Sequence, residues 1–284
     1  MTTAGFIGLG SQGGGMAQRL IEMGVPTTLW ARNPATVEPF GDVATIAADP
    51  AELGRRSDVV GICVTDGDAV RDVTLGRTGV LAGMAGGSVL AIHSTIGTDE
   101  CDEIAAAAAR VGVDVIDAPV SGGGAAAAAG TLTVYVGGSP SGVDRARPVL
   151  ETYGDPVLHL GALGSGLRTK LINNVLNAAN FALAHDAMAI GEALGLDVEQ
   201  LGAALRNGSG RSFSLEVFVG LGSLDVIADH AGSLLAKDVD LFTREAAPSL
   251  GSSREFLLAP ADRFLTLVGR PRTAETEAGT DGAR

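Results

Sequence analysis

"GFIGLGSQGGGMAQRL", residues 5–20, decides how the rest of the chain is read. Gly8, Gly10 and Gly13 stand in G-x-G-x-x-G spacing, directly after a short strand-like apolar run and directly before an amphipathic helical pattern. Each glycine has its own physical task. Gly8 permits a tight turn, Gly10 lets the backbone approach a pyrophosphate, and Gly13 lets the helix pack closely on the strand. The positive N-terminus of the helix then meets the phosphates. The loop therefore reads as a dinucleotide site, with Leu9, Ser11 and Gln12 completing it. An NAD site places Asp or Glu at the end of the second strand to bond the ribose 2'-hydroxyl. Here "TTLW" is followed instead by Ala31, Arg32 and Asn33. Arg32 can pair bidentately with a 2'-phosphate, assisted by Asn33, so NADP is expected in preference to NAD.

From the loop outward, short apolar runs alternate with helical patterns as far as about residue 160. The runs are "AGFIGLG", "TTLWAR", "DVVGICV", "SVLAIHST", "DVIDAPVS", "TLTVYVGG" and "PVLHLG". That alternation implies an α/β domain with a mostly parallel, doubly wound sheet. After Gly161 the strand signals stop, and helices are expected over 165–194, 197–206 and 233–246, with irregular connections around "RNGSGRSFS". The expected division is a nucleotide-binding domain over 1–162, an all-α domain over 163–269 and, from its lack of apolar periodicity, a disordered tail over 270–284. The alanine-rich stretches at 105–110 and 122–130 lie within periodic structure and read as helix, not linker.

Bulk properties narrow the function classes. The chain has 284 residues, with 20 Lys and Arg against 33 Asp and Glu, a formal charge of −13. Such a balance argues against an electrostatic nucleic-acid partner. The two cysteines, Cys63 and Cys101, do not make a disulfide framework, and a reducing, cytoplasmic setting is expected. No apolar run has the length of a membrane span, and from the opening residues no secretion signal is expected. His93, His159, His185 and His230 show no paired ligand spacing, so no metal site is expected.

"SGLRTKLINNVLNAAN", residues 165–180, is apolar on most faces and reads as a core helix. Lys170, Asn174 and Asn177 fall at i, i+4 and i+7, with Asn173 and Asn180 flanking, so the polar side chains form one stripe. A stripe of this kind on a core helix faces something polar. The alternative is a lysine that snorkels to solvent at the helix start.

Four blocks then come together. They are the glycine loop, "DAPVSGGGAAAAAGTLTVYVGG" at 117–138, "GALGSGLRTKLINN" at 161–174 and "KDVDLF" at 237–242. In this order and spacing the chain resembles the 3-hydroxyisobutyrate dehydrogenase family of β-hydroxyacid dehydrogenases. The resemblance implies a Rossmann-like domain joined by a long interdomain helix to a helical one. It also implies NAD(P)-dependent oxidation of a short 3-hydroxy acid, or reduction of the semialdehyde, in a homodimer or homotetramer. Carried over by residue, Ser121, Gly122 and Gly123 bind the substrate carboxylate, and a serine hydroxyl beside glycine amides suits an anion. Lys170 is the catalytic lysine, and Asn174 orients the substrate or the lysine. Lys237, in the "KD" pair with Asp238, approaches the cofactor; Thr95 lines the nicotinamide side and Val64 and Thr65 the adenosine side.

The sequence departs from the family's pattern at Gln12, where Met is common, at His93, where Asp often precedes "ST", and at Thr98, where Pro is usual. His93 reads as a hydrogen-bonded structural histidine. The part after Glu255 lacks the family's usual acidic closing segment. The neighbouring readings are an imine reductase, which replaces the lysine with another proton donor, and a non-catalytic NADP-binding module. An intact Lys170 and "PVSGG" favour a carboxylate-bearing alcohol or aldehyde over both.

Overall fold

The computed structural model describes residues 1–247 and 250–272. The chain divides into two compact units, Met1–Lys170 and Leu171–Arg284.

The first unit is built on one sheet. Its strands are β1 (Ala4–Ile7), β2 (Thr27–Trp30), β3 (Thr45–Ile46), β4 (Val59–Ile62), β5 (Val89–Ile92), β6 (Asp114–Asp117), β7 (Val120–Ser121), β8 (Leu132–Gly137) and β9 (Gly154–Gly161). They lie in the order β3-β2-β1-β4-β5-β6-β8-β7, with β9 pairing β8. The pairs from β3 to β6 are all parallel, and β1, β4 and β5 are buried along their whole length. Strands covered on both faces need no alternation, which is why they read as unbroken apolar runs. Within this mostly parallel sheet β8 runs antiparallel to β6 and β7. The run "DVIDAPVS" is likewise two strands, broken at Ala118 and Pro119; a proline has no N–H to extend the ladder.

Helices cover both faces. On one, Met16, Ala17 and Leu20 of α1 (Ser11–Glu22), Ala127 of α5 (Gly123–Ala129) and Val143, Ala146 and Val149 of α6 (Pro140–Leu150) share a core with Phe6 and Tyr153. On the other, Leu53 of α2 (Pro50–Arg55), Val70 and Val73 of α3 (Gly67–Leu75) and Cys101, Ile104 and Ala108 of α4 (Thr98–Ala109) pack on Ile7, Ile62 and Ile92. Both alanine-rich stretches are helix, in α4 and α5, except at their ends, where Arg110, Gly122 and Gly130 are cap residues.

The second unit is helical. The long α7 (Ser165–Ala193) starts in the first unit and runs on into the second, followed by α8 (Val198–Asn207), α9 (Phe213–Leu221), α10 (Leu224–Ile227), α11 (Ser233–Glu245) and α12 (Ser252–Leu267). Its core gathers Leu171, Val175, Ala178 and Phe181 of α7 with Leu235, Val239 and Phe242 of α11 and Leu258 and Phe264 of α12. The irregular stretch expected around "RNGSGRSFS" ends at Ser212, whose hydroxyl caps α9. The Arg272 guanidinium bonds the Asp262 carboxylate and the Thr243 hydroxyl, so the chain is tied down at that point. Residues 273–284 of the expected tail lie outside the described residues. Among the described residues no single helix is long and apolar enough to cross a membrane.

Candidate active site

The glycine loop turns at the C-terminal end of β1. Gly8 has φ +93°, and a Cβ there would lie 2.2 Å from the Cys63 carbonyl oxygen. A Cβ on Gly13 would lie 1.9 Å from the Gly8 carbonyl oxygen, whereas one on Gly10 would meet nothing within 4 Å. Two glycines thus close the turn and the third leaves its backbone open. Gly10 caps α1 without a side-chain hydrogen bond, while the Gly13 amide meets the Cys63 thiol. This arrangement fits a pyrophosphate. Ser11 is exposed and Gln12 half-buried, but the Leu9 side chain is buried in the core, so only its backbone can serve a ligand.

The neighbouring loops sit at the same edge of the sheet. Arg32 and Asn33 are exposed beyond β2, and the Asn33 side-chain oxygen accepts from the Ala35 amide. Beyond β4, the Val64 amide donates to Ser94 Oγ and the same hydroxyl donates to the Val64 carbonyl, both at 2.9 Å. One hydroxyl therefore ties the ends of β4 and β5 and fixes Val64 and Thr95 beside each other's strands. Thr65 donates to Asp66, which caps α3 through the Ala69 amide.

Beneath the loop lies a closed polar cluster. His93 Nδ1 is 2.7 Å from the Ala118 carbonyl oxygen, an acceptor, so Nδ1 carries the proton. Nε2 then accepts from the Tyr153 hydroxyl at 3.1 Å, and Phe6 stacks on the imidazole with ring centres 5.8 Å apart. Burial pulls His93 down to about 4, the bond to Ala118 opposing only in part. It is a neutral structural histidine. Burial pushes the Cys63 thiol up to about 12 and the Cys101 thiol higher still, so neither is a thiolate.

The second glycine turn follows β7. Ser121 is half-buried, while Gly122 and Gly123 are exposed with φ +133° and +76°. A Cβ on Gly124 would lie 2.9 Å from the Ser11 carbonyl oxygen, and one on Gly15 would lie 2.9 Å from Ala127 Cβ. Small residues therefore let the starts of α1 and α5 touch, which brings the glycine loop and the Ser121–Gly123 turn together.

Lys170 is half-buried on α7. The start of that helix is held by a residue the sequence reading did not single out. Asp117, at the end of β6, is fully buried; its Oδ1 accepts from the Gly164 amide and its Oδ2 from the Leu167 amide, both at 2.7 Å. Burial raises its carboxyl above the usual range, and the amide hydrogen bonds work against that rise.

In the second unit Asn174 is buried, and its Nδ2 donates to Asp238 Oδ2. Its Oδ1 accepts from Asn173 Nδ2 at 3.0 Å. A carboxylate only accepts, so these two bonds fix which way the Asn174 amide points. Lys237 Nζ lies 3.1 Å from Asp238 Oδ1, and Asp238 is itself buried. Asp238, named in the sequence as the partner of Lys237 but given no role of its own, is thus the carboxylate that both Asn174 and Lys237 meet. Asn177 is engaged elsewhere, accepting from Ser214 Oγ at 2.7 Å.

A doubly wound sheet with an open glycine turn after β1, followed by an all-helical unit, defines a dinucleotide-dependent oxidoreductase. Residues 3–161 match the NAD-binding domain of 6-phosphogluconate dehydrogenase, and residues 164–263 match the NAD-binding domain of NADP-dependent 3-hydroxyisobutyrate dehydrogenase. The chain belongs to the 3-hydroxyisobutyrate dehydrogenase family of β-hydroxyacid dehydrogenases. It is 36% identical over 219 residues to 3-hydroxyisobutyrate dehydrogenase of Pseudomonas aeruginosa, covering 77% of this chain and 74% of that one. It is 35% identical over 262 residues to the NAD-dependent L-serine dehydrogenase of the same organism, covering 89% and 88%. Among solved structures, Mycobacterium tuberculosis 3-hydroxyisobutyrate dehydrogenase with L-serine superposes with TM-score 0.81 at 28% identity, covering 95% of this chain and 94% of that one.

Proposed function

We propose that the chain interconverts a short 3-hydroxy acid and its semialdehyde, with NADP(H) preferred over NAD(H). The observations that carry the reading are a glycine turn that is open at Gly123 and lies next to the glycine loop, and a half-buried Lys170 on α7. The two named relatives act on 3-hydroxyisobutyrate and L-serine, and both compounds carry a hydroxyl on the carbon next but one to a carboxylate. That shared chemistry supports a carboxylate at Ser121, Gly122 and Gly123, where a hydroxyl and backbone amides can donate to it.

Gly8, Gly10, Gly13 and the first turn of α1 would hold the pyrophosphate, and Arg32 with Asn33 would meet a 2'-phosphate. Val64, Thr65 and Thr95 would line the rest, and Lys237 is assigned to the cofactor from the family's pattern. When bound, the nicotinamide supplies or accepts the hydride. The protein's own part is proton transfer. In oxidation Lys170 Nζ takes the hydroxyl proton; in reduction the ammonium stabilises and protonates the oxygen that gains negative charge. Asn174, one turn further along α7, orients by hydrogen bonding.

Exposed Ile172, Leu176, Leu183 and Ile190 recur along α7 at steps of four and seven, which supports a homo-oligomer; sedimentation checks it. The acidic surface supports a cytoplasmic setting.

The test is nicotinamide absorbance with a panel of 3-hydroxy acids and semialdehydes, for wild type and Lys170→Ala. We expect turnover on a carboxylate-bearing substrate that falls by about 10²–10⁴-fold in the variant while the cofactor still binds. Equal activity in the two proteins would remove Lys170 from the mechanism. Cofactor binding with no alcohol or aldehyde turned over would favour imine reduction or a binding module.

A further inference from the structure

Asp117 ties together two parts of the molecule that the sequence keeps far apart. Its backbone belongs to the sheet: it pairs with Ile92 of β5 and with Gly137 of β8. β8 also pairs with Ser121 through Thr133, so the strand that fixes Asp117 fixes the start of the second glycine turn. Its side chain belongs to the start of α7: it accepts from the amides of Gly164, just before the helix, and of Leu167 in its first turn, 47 and 50 residues further along the chain. Lys170 follows Leu167 by less than one helical turn.

The fit around the carboxylate is close and made by backbone. A Cβ on Gly137 would lie 2.3 Å from Asp117 Oδ1, and one on Gly166 would lie 2.9 Å from Oδ2 and 2.2 Å from the Tyr135 carbonyl oxygen. Two glycines thus clear the space in which a buried carboxylate meets a helix N-terminus, the end of the helix that favours negative charge. An ordinary N-cap is supplied by the residue that precedes the helix. Here it comes from the sheet, so the helix start is referenced to β6 and not to its own connecting loop.

We propose that Asp117 is a positioning residue: it sets where α7 begins relative to the Ser121–Gly123 turn, and so where Lys170 Nζ stands relative to a substrate carboxylate. This rests on the function proposed above. Orientation of a proton donor is felt steeply, since a displacement of about 1 Å can cost about 10²-fold in rate.

The variant is Asp117→Asn, which keeps the shape but turns one acceptor into a donor facing an amide N–H. Its steady-state kinetics, cofactor affinity and hydrogen exchange are compared with wild type and with Ser139→Ala, which strips the Oγ cap from the Gly142 amide of α6. In Asp117→Asn we expect kcat to fall by about 10²-fold, with the substrate KM and the cofactor Kd changed by less than about threefold. Peptides spanning 163–170 exchange at least about tenfold faster and those spanning 118–124 do not change, because the sheet still holds them. Ser139→Ala loses thermal stability with kcat unchanged. If Asp117→Asn behaves like Ser139→Ala, losing stability with wild-type kcat, Asp117 is a structural cap only and the proposal is overturned. Hydrogen exchange needs no substrate, so it separates the two ideas. Should wild type turn over no hydroxy acid, the functional reading fails, and unchanged exchange at 163–170 would overturn the tie independently.

Discussion

Two glycine-rich turns stand side by side in the first unit, and each contains glycines of two kinds, some required by contacts and one that faces open space. In the loop after β1, Gly8 and Gly13 are required by the protein itself, because a side chain on either would strike a backbone carbonyl at 2.2 and 1.9 Å. In the turn after β7, Gly123 is required by its backbone, with φ +76°, while the space beside it is open to 4 Å. Gly10 sits between these cases, open in space and ordinary in backbone, with φ −69°. A glycine that fills a contact builds the turn; a glycine facing open space leaves room for something else. Substitutions can separate the two.

The largest effect is expected at Gly13→Ala. Its new methyl has no room against the Gly8 carbonyl, so the loop must open or the helix must shift, at a cost of about 3 kcal/mol. Denaturant unfolding with parallel cofactor titration should show stability and binding lost together. Cofactor affinity retained at wild-type level would mean that the loop tolerates the shift and is not the phosphate turn.

The cluster beneath that loop gives the next effect, and it depends on pH. His93 titrates near 4 in the folded chain against 6.5 unfolded, so between these values the unfolded chain binds a proton that the native one does not. Its contribution is therefore complete above about 6.5 and is lost as pH falls through 4, up to about 3 kcal/mol. In His93→Asn this slope disappears, and the stability gap between wild type and variant should narrow from pH 7 to pH 4.5. A gap independent of pH would show that His93 is not buried neutral.

These features were unevenly legible in the sequence. The glycine spacing announced the first turn because part of its requirement is local: Gly13 meets the carbonyl of Gly8 five residues back, although the carbonyl that Gly8 clears, that of Cys63, is distant in the sequence. Lys170 stood out for a local reason too, as one member of a polar stripe on an apolar helix. Asp117 was not, because its partners are backbone amides at Gly164 and Leu167, and an amide leaves no mark on residue identity. α9 escaped because "FSLEVFVGL" is apolar on most sides and carries no periodicity, and α12 because Pro260 lies inside it. His93 departed from the family's pattern, and only its bonds to Ala118 and Tyr153 show what it does there.

The two open glycines give the smaller effects and the sharper test. Gly123→Ala forces a side chain into the left-handed region, about 1–2 kcal/mol, and should raise KM for the hydroxy acid while leaving cofactor affinity alone. Gly10→Ala should cost the fold least, within about 0.5 kcal/mol, since nothing lies near its methyl and its backbone is one that alanine adopts. Its effect should fall on binding instead. A methyl standing where the backbone faces a pyrophosphate should weaken NADP(H) by about tenfold, equivalent to about 1.4 kcal/mol, with KM for the acid unchanged at saturating cofactor. Two neighbouring glycines in one loop, one destroying stability and the other only affinity, would establish that the open side of the turn is the ligand side. Unchanged affinity in Gly10→Ala would mean that the pyrophosphate does not cross that backbone, and the role given to this turn would have to move to the second one.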